Sequence, residues 1–298
     1  MVSTDIQVRN VSQIDRQRLA NLINFEEYVH RHLDWKPPLD WIGNSPYVVA
    51  ERGDELVAAL ACPPELPEVA WLRLFAVKAR ILPDEAWQLL WAEAQRQLAG
   101  MGVRHAFALA LQDWFVKLLV RQAFVHVQDV AVLVWESQSF GQKVPNRQVG
   151  VRQLYAEDLP KVSEVDNLAF GVEWSNSQDA LGMAFRQSSI ATVAEIENEV
   201  VGYQISTANP MGGHLARLAV CPASQGKGVG STLVYTLLEA FVERGVNRVT
   251  VNTQTDNQAS LAIYRKCGFE LTGDIYPVFR LCIAKGDDHC RSQVGEPV

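Results

Sequence analysis

The run Gln225-Gly226-Lys227-Gly228-Val229-Gly230 constrains this chain more than any other stretch of it. A strand-like stretch, Leu215 to Val220, and a short turn, Cys221-Pro222-Ala223-Ser224, precede it. A helix-like stretch from Ser231 to Val242 follows, with apolar residues at Leu233, Val234, Leu237, Leu238 and Phe241. Strand, glycine-rich turn and helix together build an anion site. Glycines clear side chains from the turn, so several N–H groups can point at one phosphate, and the helix N-terminus adds roughly half a positive charge. Lys227 brings a full charge to the same turn. The expected ligand is a phosphorylated cofactor.

Three phosphate-binding patterns compete. A P-loop requires Gly, four residues, then Gly-Lys-Ser/Thr, and that order is absent. A dinucleotide fold places its first glycine close to the strand end and an acid about 20 positions on, ending the next strand. Here four turn residues precede Gln225, and the next strand, Val249-Thr250-Val251-Asn252, ends without an acid. The third pattern fits. Gln225, two residues, Gly228, one residue, Gly230 resembles the Gln/Arg-x-x-Gly-x-Gly/Ala signature of the GNAT superfamily of acyl-CoA-dependent N-acyltransferases. A second segment, Asp256 to Phe269, resembles the family's other hallmark: a strand end, Asn257, a short helix carrying Tyr264, then Gly268-Phe269. The two segments stand in family order, and the resemblance covers roughly residues 149–284.

At 298 residues, 48% of them apolar, the chain is too long for one such domain and suits two of common size. No run of 18 apolar residues occurs, so no membrane span is expected. The start, Met1-Val2-Ser3-Thr4-Asp5, lacks a basic segment followed by an apolar one. Five scattered cysteines without Cys-x-x-Cys spacing argue against a metal site or a disulfide framework, and a reducing cytoplasm is the expected location. A net charge of −7 makes nucleic acid a poor partner and is compatible with a cationic amine, although most acidic proteins are merely soluble.

Two stretches repeat one plan. Val48-Val49-Ala50-Glu51-Arg52-Gly53-Asp54-Glu55-Leu56-Val57-Ala58 and Thr192 to Gly202 each read as a β-hairpin. Leu72 to Val77 echoes Leu215 to Val220, and Ile6-Gln7-Val8-Arg9 echoes Val149-Gly150-Val151-Arg152. The expected fold class is α+β (a three-layer α/β arrangement): two tandem GNAT-like domains, each a mixed, mostly antiparallel twisted sheet flanked by helices. The expected boundaries are 1–140 and 147–298, with a linker near Ser137 to Gln148 and a flexible tail from about residue 286. In the first half Lys78 to Glu85 contains no glycine, and Pro83 removes an amide donor. That half is read as a degenerate copy without a cofactor loop. Seven of the eight tryptophans lie in it, either filling a larger core or lining a substrate site or an interface.

The resemblance implies acetyl-CoA as co-substrate, no metal, and transfer of an acetyl group to a primary amine by direct attack through a tetrahedral intermediate. It implies cofactor contacts along Leu218, Ala219 and Val220, through Gln225, Gly226, Lys227, Gly228, Val229, Gly230 and Ser231, and at Asn257 and Tyr264. The strand ending at Val220 is expected to splay from the one ending near Thr253. A bulge in the region 217–220 then aims an N–H at the thioester carbonyl. Tyr264 is the general-acid candidate; otherwise it is a core tyrosine. Asn257 bonds the pantetheine arm, caps its helix, or both. His214 and Glu173 are the candidates for a base or an amine-binding group, against the plainer readings of an edge histidine and a solvated loop carboxylate. Ala216 stands where the family often has an acid. Arg217 either contacts an acidic part of a ligand or pairs with a neighbouring carboxylate. The acceptor is a small-molecule or peptide amine, or a protein N-terminus or lysine. The chain is a monomer or homodimer, and a non-catalytic acyl-CoA sensor or scaffold is the alternative.

Overall fold

The computed structural model describes residues 6–137 and 148–283. Most of the expected linker and the whole tail from about residue 286 lie outside the described residues. The chain forms two compact units, the first Met1–Val127 with Pro277–Val298, the second Gln128–Tyr276.

Unit 1 contains β1 (Gln7–Asn10), α1 (Arg16–Phe25), β2 (Tyr28–Arg31), β3 (Tyr47–Arg52), β4 (Glu55–Ala61), β5 (Pro64–Leu66), β6 (Val69–Trp71), β7 (Leu74–Val77), α2 (Pro83–Gly100), β8 (His105–Leu109), α3 (Asp113–Arg121) and the start of β9 (Val125–Glu136). One sheet has the order β1-β3-β4-β7-β2. The other joins residues 277–282 to β8, β6 and β5. Pro83 sits in the first turn of α2, where its missing N–H costs nothing. The stripe Ala86, Trp87, Leu90, Trp91, Ala94 and Leu98 then buries one face of that helix. Trp87 stacks on Trp91 at 4.9 Å and meets the edge of Phe75 at 5.3 Å. Trp41, Trp71, Trp87 and Trp91 are buried, which is the core-filling reading of the tryptophans.

Unit 2 contains the rest of β9, β10 (Gly150–Gln153), α4 (Leu159–Ala169), α5 (Gln178–Gln187), β11 (Ile190–Ile196), β12 (Glu199–Asn209), β13 (Gly212–Val220), α6 (Val229–Glu243), β14 (Arg248–Gln254), α7 (Gln258–Lys266) and the first part of β15 (Glu270–Cys282). Its strand order is β10-β11-β12-β13-β14-β9-β15. The buried face of α6, including Leu233, Val234, Leu237, Leu238 and Phe241, packs into this unit's core. Gly245, at φ +77°, follows the end of that helix, with the Val246 amide donating to the Phe241 carbonyl. Strand β15 is continuous and carries Gly273 at φ +92°.

The units interleave in sequence, whereas contiguous segments 1–140 and 147–298 are expected. Strand β9 pairs antiparallel with β14 from Val130↔Gln254 to Glu136↔Arg248, so most of it belongs to unit 2. The end of β15 pairs with β8 from Val278↔Leu109 to Cys282↔His105, and so belongs to unit 1. Each half of the sequence completes the other half's sheet. Alternation fixes which face of a strand is buried, not which sheet the strand joins. Cys282 is disulfide-bonded, against the expectation of free thiols, while Cys62, Cys221 and Cys267 are free.

The internal repeat extends to individual hydrogen bonds. In unit 1 Arg9 holds Asp15 at 2.7 Å and 2.9 Å and Glu51 at 2.8 Å. In unit 2 Arg152 holds Asp158 at 2.7 Å and 2.8 Å and Glu195 at 2.8 Å. Strand registers shift at Ala50/Glu51 and again at Ala194/Glu195. One bulge and one three-residue ion network have been kept in both copies.

Candidate active site

Strands β13 and β14 run parallel but pair only at Gly213↔Val249, His214↔Thr250 and Leu215↔Val251. Beyond Leu215 both continue, β13 to Val220 against β12 and β14 to Gln254 against β9, without pairing to each other. A splay therefore opens at the carboxyl end of two parallel strands, as expected from the sequence. Opposite it the register of β13 against β12 shifts, with Ile205 facing Arg217 and Ser206 facing Leu215. The bulged residue is Ala216, one position before the expected region. The bulge is set by where β12 breaks register, which β13 alone does not encode.

The Val220 carbonyl turns away from β12 and accepts from Gln225 Nε2 at 3.1 Å. Main-chain groups two residues apart point to the same side of a strand, so Leu218 presents its N–H and C=O to the same open edge. Past Val220 the chain turns through a short 3-10 segment, Pro222–Ser224, into the glycine run. Gly226 and Gly228 adopt φ +75° and +79°, conformations that L side chains rarely take. A Cβ at Gly226 would meet nothing within 4 Å, so the turn has room on that side. The first four amides of α6 have no intrahelical acceptor and lie at its positive end. Ser231 Oγ donates back to the Gly228 carbonyl at 3.0 Å, fixing the turn to the helix. Gly230 has a different task. A Cβ there would come within 2.8 Å of Ile263 Cδ1, so this glycine lets α6 and α7 approach closely.

Asn257 caps α7, its side chain accepting from the Ser260 amide at 3.0 Å. Tyr264 lies two turns on, buried, with its ring 5.6 Å from that of Phe269. Burial holds the Tyr264 hydroxyl well above the ordinary tyrosine range, with the Cys267 thiol pushing the same way. It therefore stays a proton donor through neutral pH.

His214 stands at the base of the splay, its Nδ1 2.9 Å from Thr250 Oγ1. Thr250 Oγ1 also lies 3.5 Å from the Gly213 carbonyl, and the tautomer with Nδ1–H toward Thr250 leaves the lone pair on Nε2. Burial lowers the His214 pKa, which keeps that lone pair available at neutral pH. Glu173 lies in the loop between α4 and α5. Its carboxylate folds back over Gly171, where a Cβ would come within 2.9 Å of both oxygens.

Arg217 pairs with a neighbouring carboxylate. Its Nε and one terminal nitrogen reach the two oxygens of Asp166, each at 2.8 Å. Sequence reading passed over Asp166, which lies beside Val162 and Val165 on the buried face of α4. A lone acid on an apolar helix face was the available signal.

Unit 1 carries the same architecture with the opening closed. Strands β6 and β8 run parallel at Val69↔His105, Ala70↔Ala106 and Trp71↔Phe107, and β7 then continues against β4. The free edge of β7 is taken by β2, antiparallel from Tyr28↔Val77 to Arg31↔Leu74. His30, on β2, lies 3.2 Å from the Leu72 carbonyl through Nε2 and stacks on Phe115 at 3.9 Å. In α3 the Phe124 amide donates to the Leu119 carbonyl, as the Phe269 amide donates to the Tyr264 carbonyl. Leu119 thus stands in the place of Tyr264.

Residues 151–269 match the family model described as the Acetyltransferase (GNAT) family. The match spans the glycine turn, Asn257, Tyr264 and Phe269. The chain is similar to an uncharacterised N-acetyltransferase of Methanocaldococcus jannaschii, 28% identical over 120 residues, 40% of this chain and 76% of the relative. Solved structures match almost the whole length of the chain. A GCN5-related N-acetyltransferase of Sphaerobacter thermophilus has a TM-score of 0.62 at 15% identity, covering 95% of this chain and 97% of that one. A tandem GNAT protein from the clavulanic acid biosynthesis pathway has 0.66 at 14% identity, covering 95% and 100%. Among the described residues no helix is long and apolar enough to cross a membrane, and no group of His, Cys, Asp or Glu is arranged to hold a metal.

Proposed function

We propose that this protein transfers an acetyl group from acetyl-CoA to a primary amine, and that unit 2 does the chemistry. The observation that carries this reading is the splay of β13 from β14, opening beside the glycine turn at the N-terminus of α6. An extended thiol arm fits the free edge of Leu218 and Val220, and a pyrophosphate fits the turn from Gln225 to Ser231. The amine attacks the thioester carbonyl, whose developing negative charge is met by the main chain at the Ala216 bulge. Tyr264 gives its proton to the departing thiolate. His214 is the group best placed by its protonation state to take a proton from the amine, directly or through water. Glu173, folded onto its own loop, is assigned to that loop and to amine attraction.

Tyr264→Phe tests the acid role. The expected result is a fall in kcat of about tenfold or more, with acetyl-CoA affinity within about twofold. Thiol release from acetyl-CoA across an amine library, including peptide N-termini and lysine peptides, is the assay. Tight acetyl-CoA binding without turnover on any amine would instead favour an acyl-CoA sensor.

A further inference from the structure

We propose that Asp166, Arg217 and Tyr203 are positioning residues for acyl transfer, locking the β13 bulge to the loop of residues 170–176. The proposal rests on reading unit 2 as the acetyl-CoA-using unit.

The geometry is closed and specific. Asp166 is fully buried and accepts four hydrogen bonds: two from Arg217, one from the Tyr203 hydroxyl, and one from the Asn176 amide at 2.9 Å. Four bonds fill the acceptor sites of a carboxylate, so Asp166 has none left for a substrate proton. Its task is to hold Arg217. Arg217 follows the bulged Ala216 directly and also donates to the Trp174 carbonyl at 2.7 Å. Its guanidinium lies 3.6 Å over the Phe170 ring. The bulge and the loop carrying Glu173 are therefore tied to one guanidinium.

Unit 1 offers a comparison. Counting back from Ala58↔Val77 and Gly202↔Val220 places Ala59 at Tyr203 and Leu74 at Arg217, while counting forward from Trp71↔Phe107 and Leu215↔Val251 places Arg73 there. The duplicated Asp15 and Asp158 place Ile23 at Asp166. Ile23, Ala59 and Leu74 are all buried in one apolar cluster of unit 1. The fold closes the Asp166 and Tyr203 positions with hydrocarbon, while Arg73, beside Leu74, is buried against Asp34 and Glu65. A buried ion pair rarely outperforms apolar residues of similar volume for stability. Unit 1 keeps a buried arginine beside β7, but Arg73 pairs with Asp34 and Glu65 and not with a carboxylate of its first helix, whereas in unit 2 the α4 carboxylate Asp166 ties the arginine to the loop of residues 170–176. The tie between the bulge and the loop carrying Glu173 is what assigns the network to the chemistry.

The test uses the full chain with Arg217→Lys and with a combined Asp166→Ile, Tyr203→Phe, Arg217→Leu variant. Three quantities are read: melting temperature, coenzyme A affinity by titration, and the infrared carbonyl stretch of bound acetyl-CoA labelled with ¹³C at the carbonyl. In wild type the stretch is expected to move to lower wavenumber on binding. The combined variant is expected to melt no lower than wild type, to hold coenzyme A within about threefold, and to lose more than half of that carbonyl shift. Arg217→Lys keeps the charge without the fork and is expected to retain an intermediate shift. Full retention of the shift in either variant overturns the proposal. So does parallel loss of coenzyme A affinity and shift, which would make the network part of the cofactor grip. If the combined variant fails to fold, Arg217→Lys alone decides by its carbonyl shift. Wild type that binds no acetyl-CoA overturns the reading of unit 2 itself.

Discussion

Gly226→Asp is expected to weaken acetyl-CoA binding by about 100-fold, about 2.7 kcal/mol, while leaving the fold intact. Gly226 is at φ +75°, which costs an L residue about 1–2 kcal/mol, least for Asn and Asp. Its missing Cβ faces open space, so no packing is disturbed. The added carboxylate would stand among the amides that are proposed to hold the pyrophosphate. One like-charge pair at about 6 Å, with an effective dielectric of about 20, costs about 3 kcal/mol. Gly230 is a poorer probe, because any side chain there must displace Ile263 and part α6 from α7. Titration of wild type should give one site per chain, since the free edge of β7 in unit 1 is occupied by β2. Two equal sites, or unaltered binding by Gly226→Asp, would remove the glycine turn of unit 2 as the sole cofactor grip.

What could be read in advance follows from how local each signal is. Gly226 and Gly228 announce themselves because glycine takes their backbone angles with the least strain, and Asn257 because a cap is a contact of three residues. The degenerate loop of unit 1 was equally visible in Pro83 and the missing glycines. Long-range pairing was not. Tyr28 to Arg31 is too short to show a period, so nothing in it tells that it will close the edge of β7. The exchange of β9 and β15 between units depends on partners more than 100 residues away, such as Leu133↔Val251. Arg217 could be read as ligand-facing or paired until Asp166 was placed beneath it. His214 shows the same limit, because its usefulness as a base depends on Thr250 from the neighbouring strand.

Acidification from pH 6.5 to about 4 is expected to cost unit 1 about 3 kcal/mol through His30. Burial lowers the His30 pKa to about 4, because a charged imidazole stacked on Phe115 beneath the sheet has no water. The unfolded chain binds a proton near pH 6.5 and the folded one does not until about pH 4, so between these values the unfolded state holds more protons. Stability therefore rises with pH across that window and is lost as pH falls through it. His32 is shifted in the same direction by burial and by the nearby Arg73 charge, so it adds to the effect. The carboxylates of Asp15 and Glu51, held low mainly by Arg9, lose their contribution as pH falls from the ordinary carboxylate range to their lowered values. Glu65, whose pKa burial raises, works in the opposite direction in unit 1, so the His30 share is read as the difference between wild type and variant. Six of the eight tryptophans, Trp35, Trp41, Trp71, Trp87, Trp91 and Trp114, lie in unit 1, so denaturant titration followed by tryptophan fluorescence reports chiefly on that unit. His30→Gln removes the titrating group and keeps a donor for the Leu72 carbonyl. It is expected to lower stability at pH 7 but to flatten the pH dependence by about the His30 share. An unchanged slope between pH 6.5 and 4 would show that the strand filling the unit 1 opening is not what makes this half acid-sensitive.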